Sequence, residues 1–142
     1  MANTLKQSLL RSLLLALLII PFLVACAAPR TSVEIVKAFI SAVDSENPDS
    51  AYKLLADEFI VGYGGGEEET IKKAEVRPAV EKMFKDYNFD LNASNFQLDG
   101  DQVYFSITVT DKEDDKSANC TCEATITNGQ IGRLIVLFCN EP

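Results

Sequence analysis

The chain has 142 residues, with 13 basic and 21 acidic side chains and no histidine. That length suits one modest domain, since about 100 to 150 residues is the commonest domain size. The formal net charge of −8 argues against nucleic acid as a partner, and the missing imidazole removes Ser-His-Asp and Cys-His catalysis, imidazole bases and zinc sites that need His ligands.

Lys6 and Arg11 precede an apolar run from Leu13 to Val24, which is broken only by Pro21 and closes on Leu23-Val24-Ala25-Cys26. A positive start, an apolar middle and small residues before the cut describe a secretory signal. The run is shorter than the roughly 20 apolar residues a membrane span needs, so an uncleaved anchor is the lesser alternative. Leu23 to Cys26 resembles the lipobox of small bacterial lipoproteins. The resemblance implies cleavage before Cys26, a diacylglyceryl thioether on its sulfur and an acyl chain such as palmitate on the freed amino group. It also implies a cell-envelope location on the extracytoplasmic side of the cytoplasmic or outer membrane. The expected organisation is a signal peptide over residues 1–25, a lipidated tether over 26–30 and a folded domain over 31–142. Cleavage removes Lys6 and Arg11 but no acidic residue, taking the net charge from −8 to −10. So acidic a domain should hold the membrane through lipid on Cys26 and not through a basic patch.

Thr31 with Glu34 reads as a capping box opening a first helix, and Val33, Val36, Phe39, Ile40 and Val43 carry its apolar stripe to about Asp44. Asn47 and Pro48 suit the start of a second helix, with Ala51, Leu54, Leu55 and Phe59 buried and an end near Glu58. Gly62 to Gly66 followed by Glu67-Glu68-Glu69 should be a loop, either a flap over the domain's open end or a plain linker. It does not suit a phosphate cradle, because three carboxylates stand where a Lys-Ser/Thr pair would be needed. A third helix is expected from Glu75 to Tyr87 with Pro78 in its first turn. Period-two strands then cover Asn95 to Leu98, Val103 to Thr110, Asn119 to Thr127 and Gln130 to Cys139, the last two joined by the type I′ signal Asn128-Gly129.

With a two-residue turn, Ile126 faces Ile131, Cys122 faces Ile135 and Cys120 faces Leu137. Cys120, Cys122 and Cys139 then share one face, and Cys120 with Cys139 is the preferred disulfide, although a bulge would reverse the choice in favour of Cys122. Three thiolates at this spacing lack the fourth ligand of a zinc site, and no metal is expected. The last strand reads as apolar on both faces, with Ile131, Ile135 and Leu137 on one and Leu134, Val136 and Phe138 on the other. One of them is a candidate surface for a homodimer through the sheet, unless a chain terminus covers it.

The order of helix, helix, loop, helix and a meander of long strands resembles the nuclear transport factor 2-like superfamily. So do Val33 to Val43, Asp49 to Phe59, Val76 to Phe84 and the hairpin Asn128 to Leu134. The resemblance implies an α+β fold, with three N-terminal helices packed in a strongly curved antiparallel sheet, a cone with a pocket inside and common dimerisation through the sheet. It implies no single activity, because the superfamily holds isomerases, cyclases, dehydratases and members that only bind.

An isomerase-like mechanism would need a carboxylate base and a tyrosine as oxyanion donor, and Asp57 with Tyr63, or Tyr87 with Tyr104, are the combinations available. Each side chain also has an ordinary surface reading. Arg133 is placed on the cysteine face, where it would meet an acidic ligand or pair with Glu123. Asp111, Glu113 and Asp115 alternate as in a calcium loop but lack its glycine, which favours a solvated hairpin tip. Asn92-Ala93-Ser94 and Asn119-Cys120-Thr121 match a glycosylation sequon that bacteria generally leave unused. No cofactor is implied. The expected function is a lipid-anchored, non-enzymatic module that binds a small apolar ligand or an envelope protein; the alternative is a carboxylate-based isomerase, cyclase or dehydratase acting on a small apolar substrate.

Overall fold

The computed structural model describes residues 30–86 and 88–140. The expected signal peptide, Cys26 and Tyr87 lie outside the described residues. Helix α1 covers Ser32–Asp44 and α2 covers Pro48–Leu54. Both open as their sequences dictate. Thr31 N–H donates to a Glu34 carboxylate oxygen at 2.7 Å while the Thr31 hydroxyl accepts from Glu34 N at 3.2 Å, and Asn47 Oδ1 accepts from Ser50 N at 3.1 Å.

The second helix is shorter than expected. It stops at Leu54, and Leu55 takes extended backbone to begin strand β1, Leu55–Tyr63. Leu54, Leu55 and Phe59 sit at helical spacing, but Phe59-Ile60-Val61 favours a strand, and a sheet edge is available to receive it. Gly62 and Tyr63 therefore belong to a strand, and the glycine-rich loop is the tight connection to β2, Glu69–Lys72, with Gly64 and Gly65 at φ +50° and +76°. Helix α3 covers Lys73–Asp86, so it starts earlier than expected and Pro78 falls inside it. Lys73 Nζ donates to Leu55 O at 2.9 Å, tying the start of α3 to the start of β1.

Strands β3 (Phe89–Asp99), β4 (Gln102–Asp111), β5 (Ser117–Thr127) and β6 (Gln130–Asn140) form the antiparallel meander. The sheet order is β2-β1-β6-β5-β4-β3, and β1 joins β6 in parallel. β3 begins six residues before its expected start. A register shift between Ser94 and Gln97, with Asn95 at φ +55°, breaks its alternation and hides the strand in the sequence. Asn128 and Gly129, at φ +52° and +76°, make the expected turn between β5 and β6.

The sheet curves around the helices, and the core lies between its concave face and α1 and α2. Val36 of α1 and Val103 of β4 have no exposed surface and pack in one cluster with Ile40, Phe105 and Ala124. Full burial of a valine contributes about 1.5–3 kcal/mol. A second cluster joins Ile35, Tyr52, Leu55, Phe59 and Ile131.

Two shifts in the β5/β6 ladder decide which residues face inward. Ile126 pairs with Ile131 as expected, but Thr125 pairs with Arg133, leaving Gly132 as an extra residue; Cys122 pairs with Val136 and Thr121 with Phe138, leaving Leu137 as a second. Each one-residue bulge exchanges the faces of all later residues in the strand. Leu134 and Val136 consequently turn toward the core together with Ile131. Ile135 is buried close to Gly62, where an added Cβ would lie 2.8 Å from Ile135 Cδ1. The strand is therefore not apolar along two whole faces: Phe138, 51% exposed, is the large apolar side chain left outside.

Candidate functional site

The concave side of the sheet encloses a cavity of about 570 Å³. Phe39, Ile40 and Val43 line it from the C-terminal half of α1, Phe105, Ile107 and Val109 from β4, and Leu134 and Val136 from β6. Helical spacing in the first group and strict alternation in the second give each element one inward face. No charged residue is among the described residues that line the cavity. At the end of α1, Asp44 Oδ1 accepts from Leu91 N at 2.6 Å. Leu91 and the 62% exposed Tyr63 both line the cavity.

All three cysteines of the described chain reach this wall. The structure joins Cys120 to Cys139, which the two bulges bring directly opposite each other with Cα atoms 4.0 Å apart. The sequence register alone leaves them diagonal. Cys122 is free and buried, and burial pushes its thiol up to about 11. At neutral pH it is a protonated, weakly polar hydrophobe and not a nucleophile.

The other candidate residues are dispersed. Asp57 is exposed on β1 and lines a separate outer hollow with Lys72, Lys73 and Arg77, so it is not joined with Tyr63 in the cavity. Tyr104 faces outward and donates to Gln102 Oε1 at 3.0 Å. Arg133 is on the convex face, opposite to the cysteines, because the Gly132 bulge inverts its side. There its guanidinium bonds Glu123 and grips both carboxylate oxygens of Glu68, with Nε 3.2 Å from Oε2. The Arg133 hydrogen bond holds Glu68 below the usual carboxylate range, and the two carboxylates raise Arg133 further. At the tip between β4 and β5, Asp111 Oδ1 accepts from Glu113 N at 2.8 Å and Asp114 Oδ1 from Lys116 N at 3.2 Å. These acidic side chains cap their own turn.

Sequence reasoning did not single out Tyr52. It is buried between the cavity and the outer hollow, with the Arg77 guanidinium 5.4 Å from its ring centroid. Among the described residues its hydroxyl has no hydrogen-bond partner, and burial, then Glu81, raises its pKa. The only signal in the sequence is an aromatic residue on the buried stripe of α2, which ordinary core packing also produces.

No family model and no curated protein matches the sequence. Solved structures do match in shape. One is a nuclear transport factor 2-like protein of unknown function from Cytophaga hutchinsonii ATCC 33406, at 20% identity, TM-score 0.62, and coverage of 80% of this chain and 94% of that one. An uncharacterised cystatin-fold protein from Novosphingobium aromaticivorans aligns at 16% identity and TM-score 0.66, over 75% of this chain and 97% of that one. A candidate polyketide cyclase from Pseudomonas putida KT2440 aligns at 22% identity and TM-score 0.60, over 77% of this chain and 92% of that one. Together with the helices packed in a curved sheet, these likenesses show that the chain has the α+β, nuclear transport factor 2-like fold.

Proposed function

We propose that the protein is a cell-envelope lipoprotein, anchored through Cys26, whose cone holds a small apolar ligand without transforming it. The cavity carries the binding part of this reading. Its volume of about 570 Å³ falls within the roughly 300–1,000 Å³ usual for small-molecule sites, and its described lining is uncharged. The Leu23-Val24-Ala25-Cys26 motif supports the anchor.

Proton-transfer chemistry would require a base within hydrogen-bond reach of the substrate. The described wall offers the hydroxyls of Tyr52 and Tyr63 and a Cys122 thiol that stays protonated at neutral pH. Asp57, the carboxylate with the best sequence credentials, stands outside the cavity. The likeness to a candidate polyketide cyclase is one of fold and lends no residue to the cavity.

Native mass spectrometry of the mature chain, extracted from membranes in mild detergent, tests the reading. The expected spectrum shows one acylated chain that retains a small molecule or takes up an added apolar probe such as naphthalene. Val136→Phe, which fills the cavity, should abolish uptake. Equal uptake by both chains, or none by either, would reject the cavity as the site. The same spectrum reports whether a second copy or another envelope protein accompanies the chain.

A further inference from the structure

We infer that the Cys120–Cys139 disulfide is a redox latch on the cavity: once a dithiol reduces it, the end of β6 from Leu137 onward shifts by one register place and turns Phe138 inward. Expulsion of the ligand by that ring rests on the cavity being its site, as proposed above; the strand shift does not.

The ladder between β5 and β6 is regular from Thr125 opposite Arg133 to Cys122 opposite Val136. Thr121 then skips Leu137 to pair with Phe138, so that Cys120 meets Cys139 and Asn119 meets Asn140. The unpaired residue thus falls between Cys122 and the bridge. Continued without the skip, the same ladder sets Thr121 opposite Leu137, Cys120 opposite Phe138 and Asn119 opposite Cys139. A bond between Cys120 and Cys139 forbids this continuation, because a one-residue shift puts the two on opposite faces of the sheet. The bridge therefore holds the bulge in place.

Opening the bridge leaves little to keep it there. A bulge interrupts the hydrogen-bond ladder, whereas the continuous register pairs every residue as far as Asn140. β1 holds the neighbouring edge of β6 only up to Val136, which pairs with Tyr63 and whose carbonyl accepts from Gly64 N at 2.7 Å. Among the described residues, the segment beyond it pairs with β5 alone. Phe138 is 51% exposed outside, and the shift removes its ring from water while the smaller Leu137 takes the outward place opposite Thr121.

Cys120 and Cys139 line the cavity beside Ile107, the β4 partner of Cys120. After the shift a phenyl ring stands on that wall where the Cys139 sulfur stood, and the space of about 570 Å³ narrows. Cys139 turns outward beside Asn119. The chemistry needs one dithiol. One of its thiolates attacks the sulfur of Cys139, the less buried partner, and Cys120 leaves and takes a proton. Its second thiolate then displaces Cys139, which takes the other proton, and the dithiol departs as a disulfide with two electrons fewer.

The chain has no tryptophan, so Phe138→Trp gives a single indole to follow in the full chain, in mild detergent, before and after dithiothreitol. Reduction is expected to shift its emission to the blue and to remove most of its quenching by acrylamide. In the parent sequence, native mass spectrometry should show naphthalene taken up by the oxidised chain and lost on reduction. Phe138→Ser should take it up in both states, since no ring enters. Unchanged emission and quenching on reduction would overturn the latch. So would loss of the sheet's circular dichroism, because the latch needs the remaining strands intact. Loss of uptake by reduced Phe138→Ser would overturn the ring as its cause. Naphthalene kept by the reduced parent chain despite a blue shift would overturn the expulsion alone. No uptake by the oxidised chain would overturn the cavity as the site, with the strand shift still decided by the indole.

Discussion

The two faces of one sheet carry opposite chemistry. On the concave face Val103, Phe105, Cys122 and Ala124 are buried among hydrocarbon; on the convex face, one residue further along the same strands, Tyr104 bonds Gln102, and Glu123 meets Arg133 and through it Glu68. Arg133, which the sequence places where it would meet an acidic ligand, thus holds two strands and a loop together. The face that looks chemically silent encloses the cavity.

The largest test of that difference places the same charge on both faces. Val103→Asp should prevent folding, because burying an unpaired carboxylate costs far more than the roughly 5–15 kcal/mol stability of a domain can spare. Ser106→Asp, outward on the same strand, should change stability by less than about 1 kcal/mol. Urea unfolding followed by circular dichroism separates them, and equal effects would erase the distinction between the faces.

Next in size is the disulfide. Cys120 and Cys139 are 19 residues apart, and closing such a loop stabilises by about 3 kcal/mol in the chain-entropy account. Cys120→Ala with Cys139→Ala should lower the urea midpoint accordingly. Cys122→Ala, which breaks no bridge, should cost less; the reverse ranking would mean that Cys122 is a bridging partner.

On the convex face, Arg133→Ala leaves Glu123 buried without its cation and should destabilise by about 2 kcal/mol, below the range for a fully buried pair because Arg133 is partly exposed. Glu68→Ala should cost less, since Arg133 keeps Glu123. If Glu68→Ala is the more damaging of the two, the cluster serves the loop and not the sheet.

The smallest expected effect is with pH. Arg133 depresses the folded-state pKa of Glu68 below its ordinary value of 4.5. The contribution of Glu68 is therefore complete above the unfolded pKa and is lost as pH falls through the folded one. Below about pH 4.5, stability should fall less steeply in Glu68→Gln than in the parent chain. Parallel pH profiles would show that the Glu68 contact has no thermodynamic weight.

Local chemistry was legible wherever a feature is complete within a few residues. The Thr31/Glu34 box, Asn47 with Pro48, the alternation of Val103, Phe105, Ile107 and Val109, and Asn128-Gly129 each satisfy their own backbone or name their own face. From these come the starts of α1 and α2, the long strands and the last hairpin, while the cone is what the family resemblance implies. The cavity-lining residues of α1 and β4 follow from the same periodicities. The candidate site residues were less legible, because Asp57, Tyr63 and Arg133 were positioned by counting through segments whose structure depends on distant partners.

Tertiary structure alone decided three things. Leu55 to Tyr63 became a strand because β6 lay open beside it, overriding a helical spacing that Leu54, Leu55 and Phe59 also satisfy. The bulge near Asn95 concealed the first half of β3. The bulges at Gly132 and Leu137 moved Arg133 to the convex face and set Cys120 opposite Cys139. A strand repeats every two residues, so one unpaired residue reverses every later side chain, and where that residue falls is chosen by packing against other strands and helices. Sequence therefore determined how α1 and α2 begin, the alternation of β4 and the last hairpin, and packing determined β1, the start of β3 and which side chains of β6 meet the cavity.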